Sequence, residues 1–343
     1  MHLLDSQNAE VYLREHGHLR NDEQATVREL SGGVSNIVLR VEHSGGEPFI
    51  VKQARERLRV ADEWKCDVAR IYREIDTLRL CHTLLDEPQA VLDEITVDLP
   101  RILWEDRENY TFAMTSAPPG TVTWKERLLG GRVDPAIAIA CGTLLGRLHA
   151  NGWQNPLVQE HLGDTAFFDA LRVSPYYRRI AEVHPELQAE IERLIDTLPN
   201  HRCTLVHGDF SPKNILVGKD SLMLIDFEVG HYGDPAFDNG FFLSHLVLKA
   251  IWSSAFRGDY APLIMRFWYA YRSMMQPVLD RAAWMSLEER SIFNLAGCLL
   301  ARVDGKSQVD YLSEAQRESV RQLASQLFRS PPETVAEVCR KVE

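Results

Sequence analysis

The feature that most narrows what this chain can fold into is the run Val206-His207-Gly208-Asp209-Phe210-Ser211-Pro212-Lys213-Asn214-Ile215-Leu216, followed by Leu224-Ile225-Asp226-Phe227. Asn214 stands five positions after Asp209, and Asp226 twelve positions after Asn214. Apolar residues flank each polar one. Ile215-Leu216-Val217 and Leu222-Met223-Leu224-Ile225 read as two short strands of a hairpin with Gly218-Lys219-Asp220-Ser221 at its turn. Such a hairpin holds a loop carboxylate and a strand-end carboxylate close together. Asp209 is then placed to accept a proton from a substrate hydroxyl, while Asn214 and Asp226 offer oxygen ligands to magnesium on a nucleoside triphosphate. A lone Asp-x-x-x-x-Asn would read as an ordinary solvated hairpin; the whole string favours a site.

The string His207-Gly208-Asp209 with Asn214 and then Asp226 resembles the catalytic core of the aminoglycoside phosphotransferase and choline kinase superfamily, small-molecule kinases related in fold to protein kinases. The resemblance implies an α+β, bilobal, protein-kinase-like fold, with a small antiparallel β-sheet lobe and a larger mainly helical lobe. It implies ATP and Mg²⁺ as cofactors, Asp209 as the catalytic residue, and Asn214 and Asp226 as metal ligands. Residues 301–307 and Trp124-Lys125 are similar to a bacterial branch of phosphotransferases near methylthioribose kinase.

The rest of the chain orders itself around that core. Residues 5–16 read as a short helix stopped by Gly17. Residues 25–30, 37–41 and 48–53 read as an antiparallel meander, with the loop Ser31-Gly32-Gly33-Val34-Ser35-Asn36 between its first two strands. Residues 55–85 carry Val68, Ile71, Ile75, Leu78 and Leu85 at helical spacing, and 100–104 and 110–114 add two strands to the sheet. Thr115-Ser116-Ala117-Pro118-Pro119-Gly120 is the clearest linker. It divides the chain into a β-rich nucleotide-binding lobe over 1–116 and a mainly helical catalytic and substrate lobe over 117–343. Asp134-Pro135 forms the N-cap and first position of a helix that ends at Asn151-Gly152. Further helical segments are expected over 166–198, 241–256, 262–279, 287–303 and 313–328.

Lys52 sits in the strand Ile50-Val51-Lys52, an unusual place for an ammonium without a partner. A kinase needs a lysine there for the nucleotide phosphates and a helix glutamate to orient it. Glu74 is the expected partner, with Glu63 and Glu56 as rivals. In the loop, Gly32 and Gly33 allow close backbone approach to phosphate, and Ser31, Ser35 and Asn36 add donors. Ser116 and Ala117, in the linker, complete the expected nucleotide contacts. Gly305-Lys306-Ser307 looks like the end of a P-loop, but Leu300 stands where that motif requires glycine.

Departures from protein kinases point toward small acceptors. Ser211 replaces the lysine found two positions after the catalytic aspartate. Glu228 replaces the glycine after Asp-Phe, which disfavours flipping of that segment, and no Ala-Pro-Glu follows. Gly233-Asp234-Pro235-Ala236-Phe237-Asp238 leads straight into a helix, and the family implies that Asp238 supports the catalytic loop. Trp124, Arg302, Asp304 and Lys306 are the candidate acceptor contacts; the basic pair suits a sugar-like or carboxylated acceptor, and nearby acidic groups would suit an amino alcohol. A salt-bridge knot beneath the catalytic loop is the alternative use of residues 302–306.

The 343 residues suffice for two lobes with their own cores, and 45% hydrophobic with 25% charged residues describe a globular protein. Acidic residues outnumber basic ones 49 to 38, a formal charge of −11 that argues against nucleic acid or an anionic membrane as partner. The six cysteines are scattered without ligand spacing and read as reduced thiols, and no apolar stretch marks a signal peptide or membrane span, so a cytoplasmic location is expected. The reading is an ATP-dependent O-phosphotransferase acting on a small-molecule hydroxyl. Its rivals are an ATP-binding pseudokinase and a protein serine/threonine kinase.

Overall fold

A computed structural model of the chain describes residues 3–30, 36–56, 66–85, 91–92, 95–253 and 257–342. The expected phosphate contacts Ser31, Gly32, Gly33 and Ser35, and the rival Glu63, lie outside the described residues.

After helix α1 (Ala9–Glu15), strands β1 (Ala25–Glu29), β2 (Asn36–His43) and β3 (Phe49–Ala54) form the antiparallel meander. Helix α2 (Arg70–Leu85) follows, then β4 (Val91–Leu92), β5 (Ile95–Asp98), β6 (Ile102–Asp106) and β7 (Thr111–Thr115). The first sheet has the order β1-β2-β3-β7-β6, so β3 is central, and each of its residues is buried. Two apolar clusters cover its faces. Val51, Leu39 and Ala113 pack on α1, while Ile50, Phe112 and Met114 meet Ile71 and Ile75 of α2. Alternation along β3 thus presents one face to each helix.

The linker leads into β8 (Val122–Thr123) and α3 (Trp124–Leu129), where Thr123 and Glu126 form a reciprocal capping box. Helix α4 (Pro135–Asn151) starts on Asp134, whose carboxylate accepts from Ala136 N at 3.0 Å. The expected helical stretch 166–198 is broken into α5 (Pro156–Leu162) just before it, α6 (Ala166–Phe168), a wide-turned π-helical segment Asp169–Arg178, α7 (Arg179–Val183) and α8 (Gln188–Thr197). Pro175 inside the π segment removes a backbone donor, which fits the altered turn. Strands β9 (Thr204–Val206), β10 (Ile215–Val217), β11 (Ser221–Leu224) and β12 (His231–Gly233) carry the catalytic string, and helices α9 (Ala236–Trp252), α10 (Arg257–Met275), α11 (Arg281–Asp304), α12 (Glu314–Arg329) and α13 (Val335–Val342) complete the chain.

The hairpin pairs Ile215 with Leu224 and Val217 with Leu222. It does not stand alone. It lies in a second sheet of order β4-β5-β11-β10-β8, in which β5 runs parallel to β11. A strand from before the linker is therefore bonded to the β10–β11 hairpin, and α2 contributes Leu78, Cys81 and Leu84 to the large helical core. No helix among the described residues is long and apolar enough to cross a membrane.

Helices α4 and α10 approach so closely that a Cβ on Gly142 would stand 2.2 Å from the Phe267 carbonyl oxygen, and one on Gly146 2.6 Å from Met274 Cβ. Intrinsic propensity favours alanine over glycine by about 1 kcal/mol in a helix interior. Packing reverses the sign here, because the obstructing atom is backbone. Gly142→Ala is expected to destabilise the protein by about 1–3 kcal/mol, read from the midpoint of denaturant unfolding; a stabilised variant would show that the two helices are not held at this distance.

Candidate active site

The candidate catalytic loop occupies the turn between β9 and β10. Gly208 has φ +76°, and a Cβ there would stand 2.7 Å from the Val229 carbonyl oxygen, so angle and space both demand glycine. Asp238, in the first turn of α9, holds the loop backbone: Oδ2 accepts from His207 N at 2.7 Å and Oδ1 from Gly208 N at 2.8 Å. His149 Nε2 lies 3.3 Å from the same carboxylate, and its Nδ1 lies 2.8 Å from the Tyr271 hydroxyl. Burial alone would raise the Asp238 pKa, but His149, His207 and the donated backbone hydrogen outweigh it and hold the carboxyl below its ordinary value. Asp209 N donates to His207 Nδ1 at 3.1 Å, which fixes the ring as a neutral acceptor; burial pushes its pKa down in the same sense.

The Asp209 carboxylate is held by three side chains. Asn214 Nδ2 donates to its Oδ2 at 2.7 Å and to its backbone oxygen at 2.9 Å. Lys213 Nζ lies 2.8 Å from Oδ2, and Arg172 Nη2 lies 2.7 Å from Oδ1. Arg172 also donates through Nε to the Gly208 carbonyl oxygen at 2.7 Å, so it braces both loop and carboxylate. Burial would raise the Asp209 pKa; Arg172 and then Lys213 overcome it and keep the carboxyl below the usual range. Nothing in the local sequence singles out Arg172. Its reach depends on the π-helical turns of Asp169–Arg178, which shift the phase that an α-helix would give.

A second cluster forms around Lys52. Its ammonium lies 2.6 Å from Glu74 Oε1 and 2.9 Å from Asp226 Oδ1, joining β3, α2 and the end of the hairpin. Lys52 and Glu74 are both almost wholly buried. Desolvation works against the ammonium, but Asp226 and Glu74 more than restore it and raise its pKa. Glu74, buried and crowded by Asp226 and Glu228, is pushed up to about 7 despite Lys52. Asp226 adopts φ +74°, a left-handed conformation uncommon for a non-glycine residue outside functional sites.

Glu228 adds a cross-link that sequence reading does not supply. Its Oε2 accepts from Asn36 Nδ2 at 3.0 Å and from Arg70 Nε at 3.1 Å. Asn36, expected to serve phosphate, is thereby engaged with Glu228, and its Oδ1 accepts from Arg70 at 3.4 Å. Carboxylate oxygens of Glu74, Asp226 and Glu228 lie within 4.8 Å of one another. Lys52 and Arg70 stand alongside, so three carboxyl groups face two cations. The Asn214 amide donates twice to Asp209, which leaves its Oδ1 as the atom free to face a cation, and its backbone carbonyl oxygen accepts from Ile225 N at 3.0 Å, one residue before Asp226. This is a hard-oxygen donor set of the kind Mg²⁺ takes.

The remaining expected contacts fall into different places. Ser116 Oγ accepts from Arg40 at 2.7 Å and donates to the Ala117 carbonyl oxygen at 3.2 Å. Trp124 is fully buried and stacks on Phe242 of α9 with ring centroids 5.8 Å apart. Arg302 donates to the Tyr176 hydroxyl at 3.2 Å and to Ser307 Oγ at 2.7 Å. Asp304 is engaged elsewhere. Its carboxylate accepts from Arg321 at 2.9 and 3.0 Å and lies 2.8 Å from His184 Nε2, on the side of α12. Asp304 is thus ion-paired with Arg321 and His184, and no carboxylate among the described residues pairs with Arg302. Lys306 donates its backbone N–H to Pro175 O at 3.1 Å.

A family model described as "Phosphotransferase enzyme family" matches residues 26–277. The chain is similar to methylthioribose kinase from Enterobacter sp. (strain 638), 25% identical over 273 residues that make up 71% of this chain and 65% of that protein. It thus spans just under two thirds of that relative's length. Among solved structures it is similar to choline kinase from Cryptosporidium parvum Iowa II, with a TM-score of 0.58, 11% identity, and 95% and 97% of the two chains covered. It is also similar to amicoumacin kinase in complex with AMP-PNP, Ca²⁺ and Ami, with a TM-score of 0.56, 14% identity, and 92% and 91% covered. The fold is the kinase-like bilobal α+β arrangement of these structures.

Asp238→Ala would leave the His207 and Gly208 donors buried and unpaired, at about 1–3 kcal/mol each. Because the folded-state pKa of Asp238 is depressed, its stabilisation is present above the unfolded carboxylate value and is lost as pH falls through the depressed one. The expected outcome is a loss of about 2–6 kcal/mol at pH 7, narrowing only below about pH 4. Denaturant unfolding of both proteins across that range checks it; a gap independent of pH down to acid unfolding would remove the charge from the account.

Proposed function

Since the chain belongs to the phosphotransferase enzyme family, we propose that it is a small-molecule kinase transferring the terminal phosphate of ATP to a hydroxyl of a small metabolite. The observation that carries this reading is the Lys52 ammonium between Glu74 at 2.6 Å and Asp226 at 2.9 Å. It sets a phosphate-binding cation against the hairpin whose loop carries Asp209. The nucleotide would lie between the segments 1–116 and 117–343, with Ser116 and Ala117 at the hinge. Asn214 and Asp226 would hold Mg²⁺, which supplies neutralisation of phosphate charge when bound.

The chain's own residues account for the rest. Lys52, kept charged by its two carboxylates, anchors phosphate oxygens without needing to be reoriented. Asp209, held ionised by Arg172 and Lys213, is a weak base. Its main contribution is to orient the acceptor hydroxyl, with proton acceptance late in the transfer. Arg172 positions Asp209 and shares its charge; it need not touch the acceptor.

Asp209→Asn is expected to lower ATP-dependent phosphate transfer about 10²–10⁴-fold, measured as ADP release, while Mg²⁺-dependent thermal stabilisation by ATP persists. That stabilisation should disappear in Asp226→Ala. ATP binding that ignores Mg²⁺, with no ADP release above the Asp209→Asn blank for any acceptor, would replace the kinase by an ATP-binding regulatory module.

Arg172→Met removes the first of the two cations that depress the Asp209 pKa. The acidic limb of the kcat profile should therefore move to higher pH, with Arg172→Lys intermediate. A limb that stays in place while kcat falls would reduce Arg172 to a brace for the loop backbone.

A further inference from the structure

The face of α9 that begins at Asp238 continues through Phe241, His245 and Lys249, at helical spacing. Lys249 is only 1% exposed; its ammonium donates to the His245 carbonyl oxygen at 3.1 Å and lies 5.7 Å from the Tyr311 ring centroid. The charges that act on it are the cations Lys125 and Arg302, and among the described residues no carboxylate pairs with any of the three. Burial first, and then these neighbours, push the Lys249 ammonium down to about 7. His245, 7% exposed, is pushed well below its ordinary value by burial and then by Lys249, Arg302, Lys213 and Lys125.

The same neighbourhood holds buried polar atoms without a hydrogen-bond partner among the described residues: His245 Nε2, Arg302 Nε and the Tyr311 hydroxyl, with Trp124 Nε1 on the Phe242 side of α9. It adjoins the catalytic loop. Arg172, on Asp209, lies 5.4 Å from the Phe241 ring and 5.7 Å from the Tyr176 ring, and Phe241 is 5.0 Å from His245. Arg302 reaches the Tyr176 hydroxyl, and Lys125 N donates to Pro212 O of the loop at 2.9 Å.

We propose that Lys249, Arg302, Tyr311, His245 and Lys125 form the acceptor-recognition site and take the oxyanion, carboxylate or phosphate, of a small hydroxylated acid. The proposal deepens the kinase reading and rests on it. A buried ammonium without a counter-ion is costly, and so is each orphaned donor. One oxyanion answers both at once, because Lys249 Nζ, Arg302 Nε and the Tyr311 hydroxyl are all able to donate to it. An amine-bearing acceptor would meet the opposite field: the carboxylate on this side, Asp209, is already shared by Arg172 and Lys213.

The test compares acceptors that differ only in the oxyanion: homoserine with 3-aminopropanol, gluconate with sorbitol, and glycerol 3-phosphate with glycerol. ADP release by the intact protein is the readout, and Mg²⁺-dependent stabilisation by ATP is the control that reports on the kinase reading separately. Activity confined to the acids supports the proposal, and the carboxylate and phosphate arms tell the two sources apart. With ATP binding intact, equal activity within pairs, preference for the uncharged or aminated member, or no activity with any acid overturns it. For an active acid, Lys249→Met should raise KM about tenfold or more, with Lys249→Arg retaining most of the affinity and ATP stabilisation unchanged. Arg302→Gln gives the same readout if the Lys249 variant does not fold. An unchanged KM for the acid in both folded variants also overturns it.

Discussion

The buried ammonium of Lys52 sets the terms for much of this molecule. A charge withdrawn from water is tolerated only where opposite charge and hydrogen bonds replace the solvent, and breaking such a pair leaves several kcal/mol uncompensated. Lys52 sits on the central strand of the first sheet, so α2 must bring Glu74 to it, and the end of the hairpin must bring Asp226. The parallel pairing of β5 with β11 adds a second tie between the part before the linker and the hairpin. The geometry of the site is thus written into which buried charges have to be satisfied.

The same rule explains the residue that follows Asp226-Phe227. Glu228 stands where protein kinases carry a glycine, and it is bonded to Asn36 at the start of β2 and to Arg70 at the start of α2. Arg70 is fully buried and also donates to the carbonyl oxygens of Arg55, Cys66 and Asp67. Rotating this segment out would strand a carboxylate and a guanidinium at once. A glycine there would leave the backbone free to rotate and would cross-link nothing. The Glu228 cross-link between β2, α2 and the segment after the hairpin is thus already made in this structure.

How much of this is legible in the sequence follows from the range over which each interaction acts. The hairpin, the capping pair Asp134-Pro135 and the order of strands rest on local pattern and turn chemistry, and their residues announce them. Lys52 and Glu74 can be matched because an ammonium in an apolar strand demands an acid, and helical phase narrows the choice. Arg172 gives no such signal: it meets Asp209 across 37 positions of sequence, by way of π-helical turns that periodicity does not reveal. Asp304 misleads for the converse reason, since a carboxylate at a helix end looks the same whether its partner is a ligand or, as here, Arg321 on the next helix. Glu228 is noticeable as a departure, but its partners come from two elements far away in the chain.

Bulk charge is a poor guide to the acceptor for a related reason. The chain carries a formal charge of −11, and taken alone that suits a cationic substrate. Screening confines an exposed carboxylate to about 8 Å at physiological ionic strength, while a buried group feels its neighbours with little attenuation. Around Asp209 the cations Arg172 and Lys213 outweigh the nearby Asp226, and beside the same face of α9 Lys249 feels Lys125 and Arg302. A net-negative protein can therefore present a positive interior to the molecule it modifies. The acid-rich surface governs solubility and encounter; on the proposed reading, the few buried cations without a carboxylate partner among the described residues decide what is held beside the 207–214 loop.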